Sequence, residues 1–259
     1  LDSGLGYSGL NSARCALSTF SVLEGNISIG SHPLVKRFLK AAYQIRPSFP
    51  RYQFMWDTSV VLTYLRDLPP VQEISLKTLT LKLAMLCALV TGQRCQSIHL
   101  MNLEQLFMGP EFCKFVINDI VKQSGPGRTQ PELVIPIFHA EPNLCVFTCL
   151  CEYIKRTKPL RGEETRLFIS YITPHKWISK DTIARWVKIV MQQAGVNECL
   201  FKPHSTRAAS TSKAFCANVP LASIIKAGSW KSECVFRKFY NKPIESAQEF
   251  AQCILASNV

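Results

Sequence analysis

The chain has 259 residues, 47% of them hydrophobic, and carries 30 Lys and Arg against 18 Asp and Glu, a net charge of +12. That length holds one large domain or two small ones, with enough apolar side chains for a buried core. The basic balance, with an isoelectric point near 9.3, points to a polyanionic partner, while no apolar run reaches the roughly 18 residues of a membrane span. No Met stands at position 1 and no signal-peptide layout follows it, so the chain is expected to be part of a longer protein. Eleven cysteines are scattered through apolar patterns. Cys145, Cys149 and Cys151 cluster, but no Cys or His pair follows at zinc-finger spacing, so structural thiols in a reducing compartment are expected.

Leu10, Ala13, Leu17 and Phe20 recur at helical spacing, and Gly30-Ser-His-Pro33 makes a turn into a second helix with Leu34, Val35, Phe38 and Leu39 on one side. Arg46-Pro-Ser-Phe-Pro-Arg-Tyr52 is a turn-rich link, because each Pro disfavours helix in the residue before it. Asp57 is placed to cap a short helix through Val60, Val61, Tyr64 and Leu65, closed by Pro69-Pro70. From Ser75 a long helix runs with Leu79, Leu83, Leu86 and Val90 as its apolar stripe. Thr91-Gly92-Gln93-Arg94 breaks the chain, and Ile98, Leu100 and Leu103 follow.

Phe115 to Val121 and Leu133 to Ile137 are apolar, β-rich runs separated by Gln123-Ser-Gly-Pro-Gly-Arg128, a hairpin with a basic tip and Lys122 at its turn end. Leu144 to Ile154 is a helix and Leu167 to Tyr171 a short strand. Ser179 caps an amphipathic helix with Ile183, Trp186, Val187, Val190 and Met191 inward and Lys180, Arg185 and Lys188 outward, ended by Gly195. His204 to Asn218 forms another helix. Pro220 starts the next, which stops at Gly228. Ser232 to Tyr240 carries Val235, Phe236 and Phe239, Pro243 closes it, and Glu245 to Leu255 is a last amphipathic helix. The fold class is therefore mainly α with a small β-hairpin or sheet, an α+β arrangement.

The chemistry concentrates between His204 and Tyr240. His204 and Arg207 share a helix face, three residues apart. A guanidinium grips phosphate through a fork of donors, and an imidazole moves protons near neutral pH. An indole N–H, here Trp230, only donates. A tyrosine hydroxyl, here Tyr240, becomes a nucleophile once deprotonated. Together they read as a site for metal-free attack on a phosphodiester.

This order of His-x-x-Arg, Trp and Tyr resembles the C-terminal signature of the tyrosine recombinases, the phage integrase family. The phrase Lys226-Ala-Gly-Ser-Trp-Lys-Ser-Glu-Cys-Val-Phe-Arg-Lys-Phe-Tyr240 looks most like the recombinases of DIRS-type and Ngaro-type retrotransposons. The Trp230-to-Tyr240 spacing is one residue longer than in many phage and bacterial members and agrees with that branch. The resemblance implies that residues 1–70 are the C-terminal part of a helical core-binding domain that clamps DNA, lacking its beginning, plus a linker. Residues 71–259 would be the catalytic domain. Thr91-Gly-Gln-Arg94 matches the turn that presents the family's first catalytic arginine. Ser97 stands where the family often has an acidic residue. Lys122 matches the catalytic lysine of the hairpin, with Lys114, at the far end of the strand, the alternative.

On that resemblance Arg94 and Arg207 hold the non-bridging oxygens of the phosphate. Tyr240 attacks, His204 receives or relays its proton, Lys122 protonates the departing 5′ oxygen and Trp230 donates to the phosphate. The product is a 3′-phosphotyrosine bond and a free 5′ hydroxyl. No metal or other cofactor is implied, and no Asp/Glu cluster suited to two metal ions lies near these motifs. Lys180, Arg185, Lys188 and Arg128 are the expected DNA contacts. The implied partner is double-stranded DNA, bound by a homo-oligomer, a tetramer, in the nucleus, for integration of a mobile element. Two alternatives remain: a DNA-binding protein that kept the fold and lost catalysis, and a type IB topoisomerase-like strand transferase that uses the same chemistry.

Overall fold

Ser75 accepts the Thr78 amide at 3.1 Å and so caps a helix that Gly92 ends in the left-handed conformation, φ +59°. Between these two caps lies α4 (Leu76–Thr91), around which the larger part of the protein is built. The computed structural model describes residues 4–23, 26–47, 51–121, 124, 125, 127, 130–230 and 232–244. These form two compact units, divided between Arg51 and Tyr52.

The smaller unit holds α1 (Tyr7–Phe20), a short antiparallel pair β1 (Val22–Leu23) and β2 (Ile27–Ser28), and α2 (Pro33–Ile45). The first helix has no buried residue. Its stripe is instead half covered or open, with Phe20 at 86% exposure. Polar ties help close the unit: Arg14 Nη1 donates to the Gly30 carbonyl at 3.1 Å, and the Gly30 amide to Ser18 Oγ at 2.9 Å. The rings of Tyr7 and Tyr43 meet edge to face, 5.4 Å apart.

The larger unit begins with α3 (Thr58–Arg66), which sequence grouped with the preceding helices but which packs on α7 and α8. Asp57 caps it by accepting the Ser59 amide at 3.0 Å. After α4 come α5 (Cys95–His99), a three-stranded antiparallel sheet of β3 (Leu106–Met108), β4 (Phe112–Val116) and β5 (Glu132–Pro136), then α6 (Val146–Thr157), α7 (Lys180–Gln193), α8 (Ser205–Cys216), α9 (Leu221–Gly228) and α10 (Glu233–Phe239). The predicted hairpin is present with Phe115 opposite Leu133. Its first strand starts and ends earlier than the apolar run, and β3, unseen in sequence, pairs on its other edge.

Two expectations are corrected. The expected one-sided stripe of α4 is in fact buried all round, from Leu79 through Leu89, because α6, α7, α8 and the sheet enclose it. Val90, placed in the stripe, is 46% exposed. Leu167 to Tyr171 is not a strand: it runs extended with single bridges, Asn102 to Arg166 and Ile169 to Trp177, and its apolar residues are core. The predicted helix at 245–255 and the hairpin residues Lys122 and Arg128 lie outside the described residues. The ten described cysteines are free thiols. No described helix is long and apolar enough to cross a membrane.

Candidate active site

Five of the six candidate catalytic residues fall among the described residues, and the fold draws them toward one place. Arg94 stands at the N-cap position of α5, without a side-chain capping bond, just past the left-handed Gly92. A side chain at Gly92 would also touch Thr211 of α8 at 3.2 Å, so glycine keeps α4 and α8 close. His204 stands, exposed, at the N-cap of α8. Arg207 lies one turn inside and is 2% exposed. Trp56 Nε1 donates to Ser205 Oγ at 2.9 Å, which anchors the first turn of that helix to the segment before α3.

The turn between α9 and α10 supplies the roof. Arg207 Nη2 donates to the carbonyl of Gly228. The guanidinium carbon sits 4.2 Å from the centre of the Trp230 ring and 5.0 Å from that of Tyr240, a doubly stacked cation. Trp230 and Tyr240 are 4.7 Å apart, and the His204 ring meets Tyr240 edge to face at 6.2 Å. A Cβ at Gly228 would overlap the six-membered ring of the indole. The Ala-Gly-Ser-Trp phrase therefore needs its glycine for close approach and not for backbone freedom.

Tyr240 follows the last turn of α10 and packs against two apolar clusters, the main core and a smaller one of Ile224, Trp230 and Phe236. Its main chain is fixed from both sides. Its amide donates to the Phe236 carbonyl at 2.8 Å, and its carbonyl accepts from Ser212 Oγ at 2.7 Å. The Met55 amide donates to the Pro243 carbonyl at 2.8 Å just beyond. Phe239 faces out at 58% exposure, while Phe236 is fully buried.

Burial pushes the Arg207 guanidinium below the ordinary arginine range, the charge of Arg94 pushes it the same way, and Tyr240 opposes both. Arginine starts so high that the cation persists at neutral pH. Three side chains here hold four buried nitrogens with no hydrogen-bond partner among the described residues: Arg94 Nη1, Arg207 Nε, Arg207 Nη1 and Trp230 Nε1. Buried donors are nearly always satisfied. Two of these three side chains, Arg207 and Trp230, lie against the Tyr240 ring.

Sequence reasoning missed the residues that hold this arrangement. Gln93 donates through Nε2 to the Ala227 carbonyl at 2.6 Å and to Ser229 Oγ at 2.9 Å, and Ser97 donates to its Oε1 at 3.1 Å. Ser212, Trp56 and Ser205 act as described. Only the buried Trp56 left a trace, since an indole N–H inside a core needs an acceptor. The three basic residues of α7 each find a partner on their own chain. Lys180 pairs with Asp181 at 3.2 Å, Lys188 with Glu198 at 3.1 Å, and Arg185 donates to Thr182 Oγ1 at 3.3 Å. The two exposed ion pairs among them are worth about 0–1 kcal/mol each.

No protein-family model matches the chain, and no curated protein matches it. Solved structures do. The XerH site-specific recombinase bound to a palindromic difH substrate, in its post-cleavage complex, superposes with a TM-score of 0.66 at 13% identity, over 98% of this chain and 69% of that one. The Tn1549 transposon integrase, residues 82–397, in complex with circular intermediate DNA gives 0.61 at 13% identity, over 98% and 80%. The XerA recombinase gives 0.55 at 13% identity, over 97% and 83%. The chain has the α+β fold of a tyrosine recombinase catalytic domain.

Proposed function

We propose that the protein is a tyrosine recombinase, an enzyme that cuts and rejoins double-stranded DNA through a 3′-phosphotyrosine intermediate. The observation that carries this reading is the set of unpartnered donors on Arg207 and Trp230 beside the Tyr240 ring, joined by an unpartnered donor on Arg94, whose charge acts on Arg207. A scissile phosphate seated there satisfies those donors, and the charge that builds on its oxygens during attack meets two fixed guanidiniums. His204, ring to ring with Tyr240, is the group that handles the hydroxyl proton. Lys122 from the hairpin supplies the proton to the leaving 5′ oxygen, and Lys180, Arg185, Lys188 and Arg128 grip the backbone on either side. The net charge of +12 suits that partner. The Lys226–Tyr240 phrase supports assignment to the retrotransposon branch. On that assignment the enzyme integrates a mobile element in the nucleus, as a tetramer on DNA.

The test is a denaturing gel with labelled suicide DNA, whose nicked strand lets the 5′ product diffuse away and traps the adduct. Wild-type protein is expected to form a covalent complex that maps to Tyr240. Tyr240→Phe removes one oxygen and is expected to bind DNA equally well and form none. An adduct that persists in Tyr240→Phe, or that maps elsewhere, overturns the proposal.

A further inference from the structure

The turn that presents Arg94 and the turn that presents Trp230 are joined by one side chain. Gln93 is 4% exposed. Both hydrogens of its amide are used, on the Ala227 carbonyl and on Ser229 Oγ, and its oxygen takes the Ser97 hydroxyl. Rotating the amide by half a turn would set its oxygen against the Ala227 carbonyl, which can only accept, so that carbonyl fixes the amide's direction and the Ser97 hydroxyl donates to the oxygen. The residue between the two Gln93 acceptors is Gly228, whose own carbonyl takes the hydrogen from Arg207. Successive carbonyls of one turn are thus held by the neighbour of the first arginine and by the second arginine itself. Ser97, at the position where tyrosine recombinases often have an acid, is part of this tie.

We infer that Gln93 is a positioning residue: through the Ala227–Ser229 turn it sets the distance between Arg94 and the Arg207–Trp230 pair. The inference rests on the recombinase reading, because the spacing matters only if both arginines hold one phosphate. A hydrogen-bonded supporting residue of this kind acts on the rate of a bound substrate rather than on its binding. An error of an ångström in such a clamp is enough to cost on the order of 100-fold.

The experiment compares wild type, Gln93→Met and Ser97→Ala by three measurements: melting temperature, DNA affinity and single-turnover adduct formation at saturating suicide DNA. Hydrogen exchange of the 226–230 segment is followed in parallel. Gln93→Met keeps the volume and loses the tie. It is expected to slow adduct formation roughly tenfold or more, keep DNA affinity within about twofold and speed exchange in 226–230. Ser97→Ala leaves both Gln93 donors and folds if Gln93→Met does not; it is expected to show the same pattern more weakly. A purely structural glutamine would lower melting temperature and adduct yield together, with an unchanged rate for the folded fraction, and that result overturns the proposal. So does a wild-type rate or unchanged exchange in both variants. If wild type forms no adduct, the recombinase reading itself fails, whereas an active wild type with indifferent variants sinks only the role of Gln93.

Discussion

Ser212 donates its hydroxyl to the main-chain carbonyl of Tyr240 at 2.7 Å, and the same oxygen accepts the Lys242 amide at 3.1 Å. Helix α8 thus carries Arg207 in its first turn and, further along, the residue that holds the Tyr240 backbone. Ser212→Ala leaves the Tyr240 carbonyl and the Lys242 amide without that partner, at a cost of about 1–3 kcal/mol. The expected outcome is faster proteolysis across 240–244 and slower adduct formation, with DNA affinity kept. An unaltered cleavage rate would show that the tyrosine is placed by its ring contacts alone.

The close approach of Gly228 to the indole gives a second test. Gly228→Ala drives a methyl into the Trp230 ring, so either the indole or the turn has to move. Overpacking of this kind costs about 1–3 kcal/mol. Because the Gly228 carbonyl also takes the Arg207 hydrogen, the displacement reaches both donors at once. Adduct formation is expected to fall on the order of 100-fold while the melting temperature shifts by only a few degrees. A variant with full activity would separate the turn from the chemistry.

What sequence made legible is what is local or ordered along the chain. Ser75 and Gly92 marked the ends of α4 because capping uses neighbours a few residues away. The ordered Arg94, His204, Arg207, Trp230 and Tyr240 set was legible as a motif, and the fold draws these residues toward one site. The supporting ties were not, since Gln93, Ser212 and Trp56 reach partners 134, 28 and 149 residues away and leave no periodic trace. Leu167 to Tyr171 misled for a different reason: a short apolar run looks alike in a strand and in a buried extended segment held by single bridges.

Lys82 offers a prediction independent of function. It is fully buried in α4, and its ammonium donates to the Leu65 carbonyl at the end of α3, at 2.9 Å. Burial holds its pKa below the ordinary lysine value. The unfolded chain therefore binds this proton more readily, and the penalty on the folded state fades as pH rises toward the unfolded value of about 10.4. Lys82→Met has no such proton. The stability of wild type minus that of Lys82→Met, from urea midpoints, is expected to rise as pH climbs toward the unfolded value of about 10.4 and to level off above it. A flat difference would mean that the ammonium is as well solvated in the helix as in water.

Trp230 serves as both wall and donor, and two substitutions separate the roles. Its ring packs on Phe236 at 5.3 Å and on Tyr240 at 4.7 Å, and it covers the Arg207 cation. Its Nε1 has no hydrogen-bond partner among the described residues. Trp230→Phe keeps an aromatic face and loses the donor. Trp230→His keeps a ring N–H and loses much of the apolar contact. Stability is expected to follow packing, with Phe above His, because a polar ring in the Ile224–Phe236 cluster is both smaller and costlier to bury. Cleavage of bound DNA is expected to run in the opposite order, with His above Phe, since losing one preorganised donor to a charged transition state costs on the order of 100-fold. Melting curves and single-turnover adduct rates at saturating DNA measure the two orders separately. If both quantities rank Phe above His, the indole hydrogen contributes nothing to the reaction and Trp230 is only the wall against which Arg207 and Tyr240 are packed.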